Sequence, residues 1–235
     1  TSILESIRRA DKDIKFYQAS SSEMYGGATK EKLNEESDFD AKSPYAASKV
    51  FAHNMTKIYR DSYSLFCTNG ILFNHESPFR GETFVTRKIT RALTRIKLGL
   101  QKNLYLGNLN ALRDWGHAKD YVEAQWLMLQ QKKPEDFVIA TGTQYSVRDF
   151  INCAADYLDM KIEWTGKDLG EIGYFDGKEI IKVDPKYFRP TEVETLLGDA
   201  TKAKEKLNWS AKISFEELVK EMVEEDFKAV NKFNN

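Results

Sequence analysis

Apolar and polar residues recur along the chain in two periods, that of a helix and that of a strand. The first ten residues have apolar positions three and four apart, which predicts the end of an amphipathic helix, and the segment from about Lys15, KFYQAS, predicts a short buried strand. The strongest helical pattern covers residues 44–63, PYAASKVFAHNMTKIYRDSY. Ser43 suits the cap of this helix and Pro44 suits its first position.

The same two periods continue towards the carboxyl end. We predict strands in LFCTNGILFNH, NLYLGN and DFVIATG, and we read GKDLGEIGYFDGKEIIKV as a loop that runs into a short strand. The predicted helices are residues 84–99, AKDYVEAQWLMLQQ, SVRDFINCAADYLDM with Ser146 as cap, and SFEELVKEMVEEDFKAV, where Ser214 and Glu217 form a capping box. Because strands alternate with helices, the pattern predicts an α/β fold with a parallel sheet.

Composition and charge exclude several classes of protein. Hydrophobic residues make up 41 % of the 235 residues, which is enough for a sizeable core, and the formal net charge is −1. No long basic run suggests a nucleic acid as partner, and no apolar run has the length of a membrane span. Cys67 and Cys153 lie in apolar surroundings and are expected to be buried free thiols, which fits a cytoplasmic protein.

The segment QASSSEMYGG, residues 18–27, is the first candidate for chemistry. It follows the strand that begins near Lys15, and ligands of open α/β sheets bind at the carboxyl ends of the strands. A serine-rich turn that caps the next segment explains the same residues without any function. Position alone therefore leaves both interpretations open.

Tyr45 and Lys49 strengthen the catalytic interpretation. They lie four residues apart in SPYAASK, so a helix places both side chains on one face. A free tyrosine hydroxyl has a pKa of about 10 and is a poor base at neutral pH, but a neighbouring ammonium favours the phenolate. Such a pair can take a proton from a hydroxyl group. The spacing is common in helices, and it gains weight only from the Ser/Glu segment upstream.

SSSEMYG followed by YAASK resembles the extended short-chain dehydrogenase/reductase family. Longer segments are similar to the GDP-mannose 4,6-dehydratases within it: NGILFNHESPFRGETFVTRKI, LYLGNLNALRDWGHAKDYV, PEDFVIATG, YSVRDF and YFRPTEVETLLGDATKAKEKLNW. The resemblance runs from about Phe16 to Met222. It departs from the usual pattern at two places, where Ser21 stands for a common threonine and Phe79 for an arginine of the ESPRRGE loop.

The resemblance implies a mechanism in which GDP-mannose is dehydrated with NADP, and less readily NAD, as cofactor. It implies that Tyr45 removes the proton of the sugar 4-hydroxyl, that Lys49 activates this tyrosine and holds the nicotinamide ribose, and that Ser21 bonds the 4-oxygen. Glu23 takes the C5 proton and protonates the departing 6-hydroxyl, as a carboxylate within reach of both carbons can. The resemblance places the cofactor contacts at Tyr45, Lys49, Asn74, His75 and Arg80. It places the substrate contacts at Ser21, Asn74, Lys88, Asn108, Arg113, Arg189 and Glu192.

The resemblance also implies a domain organisation. Residues 1–75 correspond to the second half of an NADP-binding Rossmann domain, 76–112 to a substrate-domain segment, 113–142 to a return to the Rossmann domain, and 143–235 to a smaller, discontinuous substrate-binding domain. No glycine-rich phosphate loop follows a strand here, so we expect a preceding segment to carry it and the 235-residue chain alone to be inactive. No metal is expected, since HESPF lacks the second histidine of HExxH, and His53 and His117 are expected to be structural.

A homodimer or homotetramer is also implied. The helix over residues 44–63 would pair with its copy through an outward face that includes Phe51, Met55 and Tyr59.

Two other functions fit the sequence. The first is an epimerase or reductase on a related GDP-sugar, although a simple reductase has no need of Glu23. The second belongs to another class, a non-catalytic module that binds nucleotide sugars, and the absence of a glycine loop favours it. A C4 epimer formed without loss of water would support the first, and a glycine loop upstream in the gene would exclude the second.

Overall fold

A computed structural model describes residues 1–27, 31–187, 193 and 195–233 of the chain. Within these residues the α-helices are α1 (Ser2–Ala10), α2 (Pro44–Tyr63), α3 (Val85–Lys97), α4 (Ala118–Gln130), α5 (Val147–Asp156), α6 (Thr201–Leu207) and α7 (Phe215–Phe233). The strands are β1 (Phe16–Ser21), β2 (Cys67–Leu72), β3 (Asn74–Glu76), β4 (Leu104–Leu106), β5 (Leu112–Arg113), β6 (Trp115–His117), β7 (Phe137–Ile139), β8 (Tyr145–Ser146), β9 (Glu163–Thr165), β10 (Ile172–Phe175), β11 (Lys178–Val183) and β12 (Thr195–Leu196).

The chain divides into two compact units. Unit 1 contains Thr1–His75, Asp114–Gln144 and Val193–Lys212, and unit 2 contains Glu76–Arg113, Tyr145–Glu192 and Ile213–Asn235.

Unit 1 is built on a parallel sheet in the order β1-β2-β7. Successive side chains of a strand point to opposite faces, and both faces of this sheet are covered. Leu72 and Ile139 pack in one cluster with the buried side of α4, while Ile71 and Val138 pack in another with Met24 and its neighbours. The predicted α/β fold with a parallel sheet is confirmed.

Unit 2 combines a mixed sheet with a helical layer. The sheet has the order β4-β11-β10-β9, in which β4 and β11 are parallel and the other two pairs are antiparallel. Helices α3, α5 and α7 pack on one another. Their contact includes Phe215, whose ring stacks on Tyr145 at 3.8 Å between centroids and meets Phe150 edge-on at 5.7 Å.

Local capping signals were read correctly from the sequence. Ser43 Oγ accepts a hydrogen bond from Ala46 N at 3.1 Å and starts α2. Ser146 forms a reciprocal capping box with Asp149 at the start of α5, and Ser214 pairs with Glu217 in the same way. Each pattern spans only four residues, so tertiary packing has little influence on it.

Three expectations need correction. The segment read as a loop that runs into a short strand contains the whole β10–β11 hairpin, which turns at Asp176 and Gly177, both with positive φ, and β9 directly before it was not predicted. Helix α6 was not predicted. The range 143–235 does not belong to one domain, because 193–212 lie in unit 1, where Trp209 Nε1 donates to Asp120 O at 2.9 Å and Leu33 pairs with Gly198.

The predicted outward face of α2 is only partly right. Phe51 is 60 % exposed, but Met55 is half-buried and Tyr59 is buried, with its hydroxyl 3.2 Å from Glu5 Oε2. The reason is helical geometry: positions four apart drift by about 40° per step, so Tyr59 lies about 80° from Phe51 and turns towards α1. Ile58, about 20° from Phe51, is 50 % exposed and belongs to the outward face.

The outer edge of β7 is closed by a side chain. Val138 N donates to Glu35 Oε1 at 2.6 Å, although β7 is the last strand of the sheet in unit 1. Burial raises the pKa of Glu35, and the hydrogen bond from Val138 N opposes this rise. Glu35 thus fills a position that a neighbouring strand would otherwise take.

A buried hydroxyl in the sheet provides a test of packing. Tyr17 Oη is buried and has no hydrogen-bond partner in the described part of the chain, and Gly70 makes room for it, since a Cβ there would lie 2.6 Å from this oxygen. We expect Tyr17→Phe to raise the free energy of unfolding by about 1 kcal/mol, because it removes a desolvated group that gains no bond. Urea unfolding measures the change.

Tyr25 is the matched control. Its hydroxyl donates to Asn34 O at 2.6 Å, so Tyr25→Phe should lower the free energy of unfolding by about 1 kcal/mol. Equal losses in both variants would contradict the assignment of Tyr17.

Candidate active site

The serine run lies where β1 ends. Ser20 and Ser22 are buried, and Ser21 caps a short 3-10 helix, Ser22–Tyr25, by accepting a hydrogen bond from Glu23 N at 3.3 Å. This bond uses an oxygen lone pair of Ser21 and leaves its hydroxyl proton for another acceptor. The turn interpretation and the functional interpretation of the serine run are therefore compatible.

Gly26 ends this 3-10 helix in the left-handed conformation, with φ of 71°. A Cβ at Gly26 would lie 2.0 Å from Asp40 O, so only glycine fits at this approach. The turn holds Glu23 half-buried directly after the strand end.

Helix α2 brings Tyr45 and Lys49 to the same strand end. Lys49 Nζ donates to Ala19 O at 2.9 Å and lies 5.6 Å from the centroid of the Tyr45 ring. Tyr45 is 53 % exposed, so its hydroxyl is accessible to a ligand. The four side chains predicted to be catalytic thus belong to three adjoining elements of unit 1, namely β1, the 3-10 helix and α2, and Lys49 joins α2 to β1.

Strand β3 carries two further predicted residues. Asn74 Oδ1 is buried and accepts no hydrogen bond from any described residue. The His75 ring stacks on Tyr121 at 5.1 Å, and its Nδ1 lies 2.9 Å from Phe73 O, so Nδ1 carries the proton and donates. The orientation of His75 is fixed by these two contacts.

Unit 2 contains four of the predicted binding residues. The guanidinium of Arg80 lies 3.6 Å from the centroid of the Phe84 ring. The ammonium of Lys88 lies 3.7 Å from the centroid of the Tyr187 ring and donates to Tyr105 O. Burial lowers the pKa of Lys88. Asn108 accepts a bond from the backbone of Asn110 at 2.9 Å, and Arg113 Nη1 donates to Leu112 O at 2.8 Å. Arg189 and Glu192 lie outside the described residues.

The described residues form neither a metal site nor a membrane-spanning helix. Among the described residues, no three His, Cys, Asp or Glu side chains lie close enough together to hold a metal ion. No helix in the described ranges is both long and apolar enough to cross a membrane.

Comparison with known proteins identifies the family. Residues 1–222 match the family model described as GDP-mannose 4,6 dehydratase. The chain belongs to the GDP-mannose 4,6-dehydratase family. It is 52 % identical to the GDP-mannose 4,6-dehydratase of Vibrio cholerae over 98 % of its own length and 66 % of that protein's. For the enzyme of Dictyostelium discoideum the identity is 53 %, over 97 % of this chain and 65 % of that protein.

The human GDP-mannose 4,6 dehydratase is 54 % identical over 91 % of this chain and 58 % of that protein. The chain thus spans about 58–66 % of the length of these three relatives.

Solved structures agree with the fold. The RMD protein of Pseudomonas aeruginosa, complexed with NADPH, has a TM-score of 0.82 at 19 % identity, with 96 % of this chain and 70 % of that one covered. The dTDP-glucose 4,6-dehydratase of Bacillus anthracis, in complex with NAD, has a TM-score of 0.80 at 21 % identity, with 98 % and 67 % covered. At these identities the likeness shows the fold alone.

In this member of the GDP-mannose 4,6-dehydratase family, Phe79 is 97 % exposed. Its backbone N donates to Ser77 Oγ at 3.2 Å, so the turn is fixed while the ring projects from it. Phenylalanine provides no charge at this position, and nothing in the structure explains the aromatic ring.

Glu76 is a buried carboxyl group beside Arg80. It accepts a hydrogen bond from Thr86 Oγ1 at 2.7 Å and lies 3.2 Å from Arg80 Nε. Burial raises the pKa of Glu76 to about 7, against the charge of Arg80 and the bond from Thr86, which lower it. Arg80, predicted to contact the cofactor, is therefore held by Glu76 and Phe84.

This carboxyl group makes stability depend on pH. The pKa of Glu76 lies above its ordinary value of 4.5, so its contribution is fully present below pH 4.5 and is lost as the pH rises towards 7. We expect wild-type stability to fall by about 2–3 kcal/mol relative to Glu76→Gln between pH 5 and pH 8. Urea unfolding of both proteins at the two pH values measures the difference.

Glu82→Gln is the control for this experiment. Glu82 lies in the same segment and pairs with Arg91 at 2.8 Å, but its side chain is 64 % exposed. Its removal should shift stability by similar amounts at both pH values. A pH-independent difference for Glu76→Gln would contradict a raised pKa.

Asp114 is a residue of this region that sequence reasoning missed. It is buried and accepts hydrogen bonds from Thr141 N at 2.8 Å, Thr141 Oγ1 at 2.7 Å and Gly142 N at 2.8 Å. Burial raises the pKa of Asp114, and these bonds oppose the rise. An acid directly before the large apolar Trp115 in LRDWGH was the available signal, and Asp114 holds the loop that follows β7.

Proposed function

We propose that the protein is a sugar-nucleotide dehydratase, a lyase that converts GDP-mannose to GDP-4-keto-6-deoxymannose with NADP as cofactor. The observation that carries the proposal is the position of Lys49, whose ammonium bonds the strand end before Ser21 and Glu23 and also lies beside the Tyr45 ring. An epimerase or reductase needs the tyrosine, lysine and serine. The glutamate directly after the strand end is what a dehydration adds.

The first step oxidises the sugar at C4, where the carbon loses a hydride and its hydroxyl group loses a proton. Tyr45, whose ring centroid lies 5.6 Å from the Lys49 ammonium, takes the proton of the 4-hydroxyl. Ser21 donates its hydroxyl proton to the 4-oxygen, and the bond it accepts from Glu23 N orients it for this role. A nicotinamide, when bound, supplies the hydride acceptor at C4 and the hydride donor at C6.

The second step eliminates water across C5 and C6. The 4-keto group acidifies the C5 proton, and the Glu23 carboxylate takes it. The same carboxyl group returns a proton to the 6-hydroxyl as the C6–O bond breaks and water leaves. C5 regains a proton when C6 is reduced, and the proton that Tyr45 took from the 4-hydroxyl accounts for it.

The residues present fit a nicotinamide cofactor. Lys49 provides a fixed ammonium for a ribose, and Asn74 offers a buried acceptor that no described residue uses. One of the two solved structures is complexed with NADPH and the other with NAD, so either nicotinamide cofactor suits the fold. We propose NADP for this chain. His75 and Arg80 complete the proposed cofactor contacts. Substrate contacts are proposed at Lys88, Asn108, Arg113, Arg189 and Glu192.

The test is a product analysis. The gene product that contains this chain is incubated with GDP-mannose and NADP, and the sugar nucleotide is examined by mass spectrometry and NMR. We expect a product lighter by one water with a keto group at C4 and a methyl group at C5. Unchanged substrate from folded, cofactor-loaded protein would reject the proposal, and a C4 epimer of unchanged mass would favour an epimerase.

We also propose a cytoplasmic homodimer or homotetramer. Phe51 and Ile58 form an exposed apolar row on α2, which a second copy of the chain would cover. Both cysteines are free thiols, as expected in a reducing compartment, although only Cys67 is buried as predicted and Cys153 is half-buried. A monomer in light scattering would contradict the assembly.

A further inference from the structure

Ser20 stands between two residues that the proposed function uses. Ala19 precedes Ser20, and its carbonyl oxygen accepts a hydrogen bond from the ammonium of Lys49. Ser21 follows Ser20. Ser20 itself is 3 % exposed, and its Oγ lies 3.1 Å from His53 Nδ1 and 3.4 Å from Asn69 Oδ1. The side chain of Ser20 is therefore fixed by His53 and Asn69.

His53 occupies the same face of α2 as Lys49, one turn further along. Burial lowers the pKa of His53 to about 4, against the charge of Asp136, so the ring is neutral at pH 7. Its Nε2 lies 3.9 Å from Asp136 Oδ2, which favours the proton on Nε2. Nδ1 is then an acceptor, and the hydroxyl of Ser20 donates to it.

Asp136 is itself firmly anchored. Arg60 Nη1 and Nη2 bond its two oxygens at 2.6 and 2.9 Å, and Asn69 N and Nδ2 bond Oδ1 at 2.9 and 3.0 Å. Asn69 belongs to β2, and Asp136 directly precedes β7. The buried network therefore joins the catalytic helix to all three strands of the sheet in unit 1.

Two consecutive residues of β1 are thus held by two side chains of α2. Lys49 holds Ala19 through its carbonyl, and His53 holds Ser20 through its hydroxyl. Successive side chains of a strand point to opposite faces, so the position of Ser20 sets the position from which Ser21 projects. The pair fixes both the register and the rotation of the strand end against the helix.

We propose that His53 is a positioning residue of the active site, which acts by holding Ser20 and thereby places the Ser21 hydroxyl and the Lys49 ammonium. The inference rests on the proposed dehydratase function. A histidine that merely fills space would be replaceable by any side chain of the right shape. A positioning histidine needs a polar atom near the place of Nδ1.

His53→Asn and His53→Leu separate these two roles, because asparagine and leucine have the same branched shape and only asparagine has a polar atom near the place of Nδ1. We expect kcat of His53→Leu to fall by about 10- to 100-fold with KM for GDP-mannose within about 2-fold, because a small misplacement of reacting groups costs rate rather than binding. His53→Asn should keep kcat within about 3-fold of wild type. Equal kcat in the two variants would overturn the proposal.

Ser20→Ala provides a second route that leaves the helix intact, in case His53→Leu does not fold. We expect it to lower kcat about as much as His53→Leu, and the double variant to be no slower than either. Independent, additive losses in the two variants would show that His53 does not act through Ser20.

A spectroscopic readout distinguishes failure of this inference from failure of the proposed function. Lysines of the gene product are reductively methylated with [13C]formaldehyde, and the signal of Lys49 is assigned with Lys49→Arg. We expect the Lys49 signal to shift in His53→Leu and to stay in His53→Asn. If the wild-type protein gives no dehydrated product, the proposed function fails, and this signal still decides the positioning role. An unshifted signal in His53→Leu would overturn it.

Discussion

Replacing Glu23 with glutamine is expected to slow formation of the 4-keto-6-deoxy product by on the order of 10²- to 10⁴-fold, while oxidation at C4 continues. Glutamine has nearly the same shape as glutamate, but its amide neither takes the C5 proton nor protonates the departing hydroxyl. Tyr45, Lys49 and Ser21 are unchanged in this variant. Absorbance at 340 nm should therefore rise to about one reduced nicotinamide per site and stop, while mass spectrometry finds little loss of water.

The control is Glu36→Gln. Glu36 is exposed and follows in the same segment of unit 1, with its backbone N bonded to Asn34 Oδ1 at 3.0 Å, so its side chain is dispensable. We expect wild-type rates from it. Normal dehydration by Glu23→Gln would remove Glu23 from the mechanism and show that another group carries out the elimination.

Tyr45→Phe should abolish both halves of the reaction. Phenylalanine keeps the ring beside Lys49 and loses the oxygen that takes the proton of the 4-hydroxyl. We expect product formation to fall by on the order of 10²- to 10⁴-fold, and no rise in absorbance at 340 nm when GDP-mannose is added. The two variants thus differ in where the reaction stops, which tests the order of the steps.

Tyr63→Phe is matched to this substitution. Tyr63 lies on the same helix, is 40 % exposed and packs on the Tyr59 ring at 5.1 Å between centroids. The loss of its hydroxyl should leave kcat unchanged. A Tyr45→Phe protein that still reduces the nicotinamide would show that another group takes the proton.

The sequence predicts where the proposed catalytic residues lie in the fold, because local geometry determines most of their arrangement. The spacing of Tyr45 and Lys49 puts them on one helical face, and the Ser43 cap fixes where that helix begins. Parallel strands place their carboxyl ends at one edge of a sheet, so Ser21 and Glu23 had a predictable position. Only the contact between Lys49 and Ala19, thirty residues apart, needed the structure.

Other features depend on packing that spacing does not encode. Ser20, His53 and Asp136 are separated by 33 and by more than 80 residues, and nothing in SSS or AHN indicates that they share a buried network. Tyr59 was predicted on the outward face of α2. Its rotation away from Phe51 instead brings its hydroxyl to Glu5 of α1, a partner that the sequence does not indicate. Asp176-Gly177 is a hairpin signal that was present in the sequence. Because of the closely spaced glycines before it, the part of the segment that contains β10 was read as a loop.

Glu35 has a consequence for how the protein behaves at high concentration. A terminal strand with open N–H groups is a template on which another molecule can add a strand of its own, and such addition propagates into aggregates. At Val138 the carboxylate of Glu35 already occupies the donor that an incoming strand would need first. A single acidic side chain thus acts as a gatekeeper against self-association through the backbone. We expect the Glu35→Ala protein to precipitate at a lower concentration than wild type, even if its activity per folded molecule is the same.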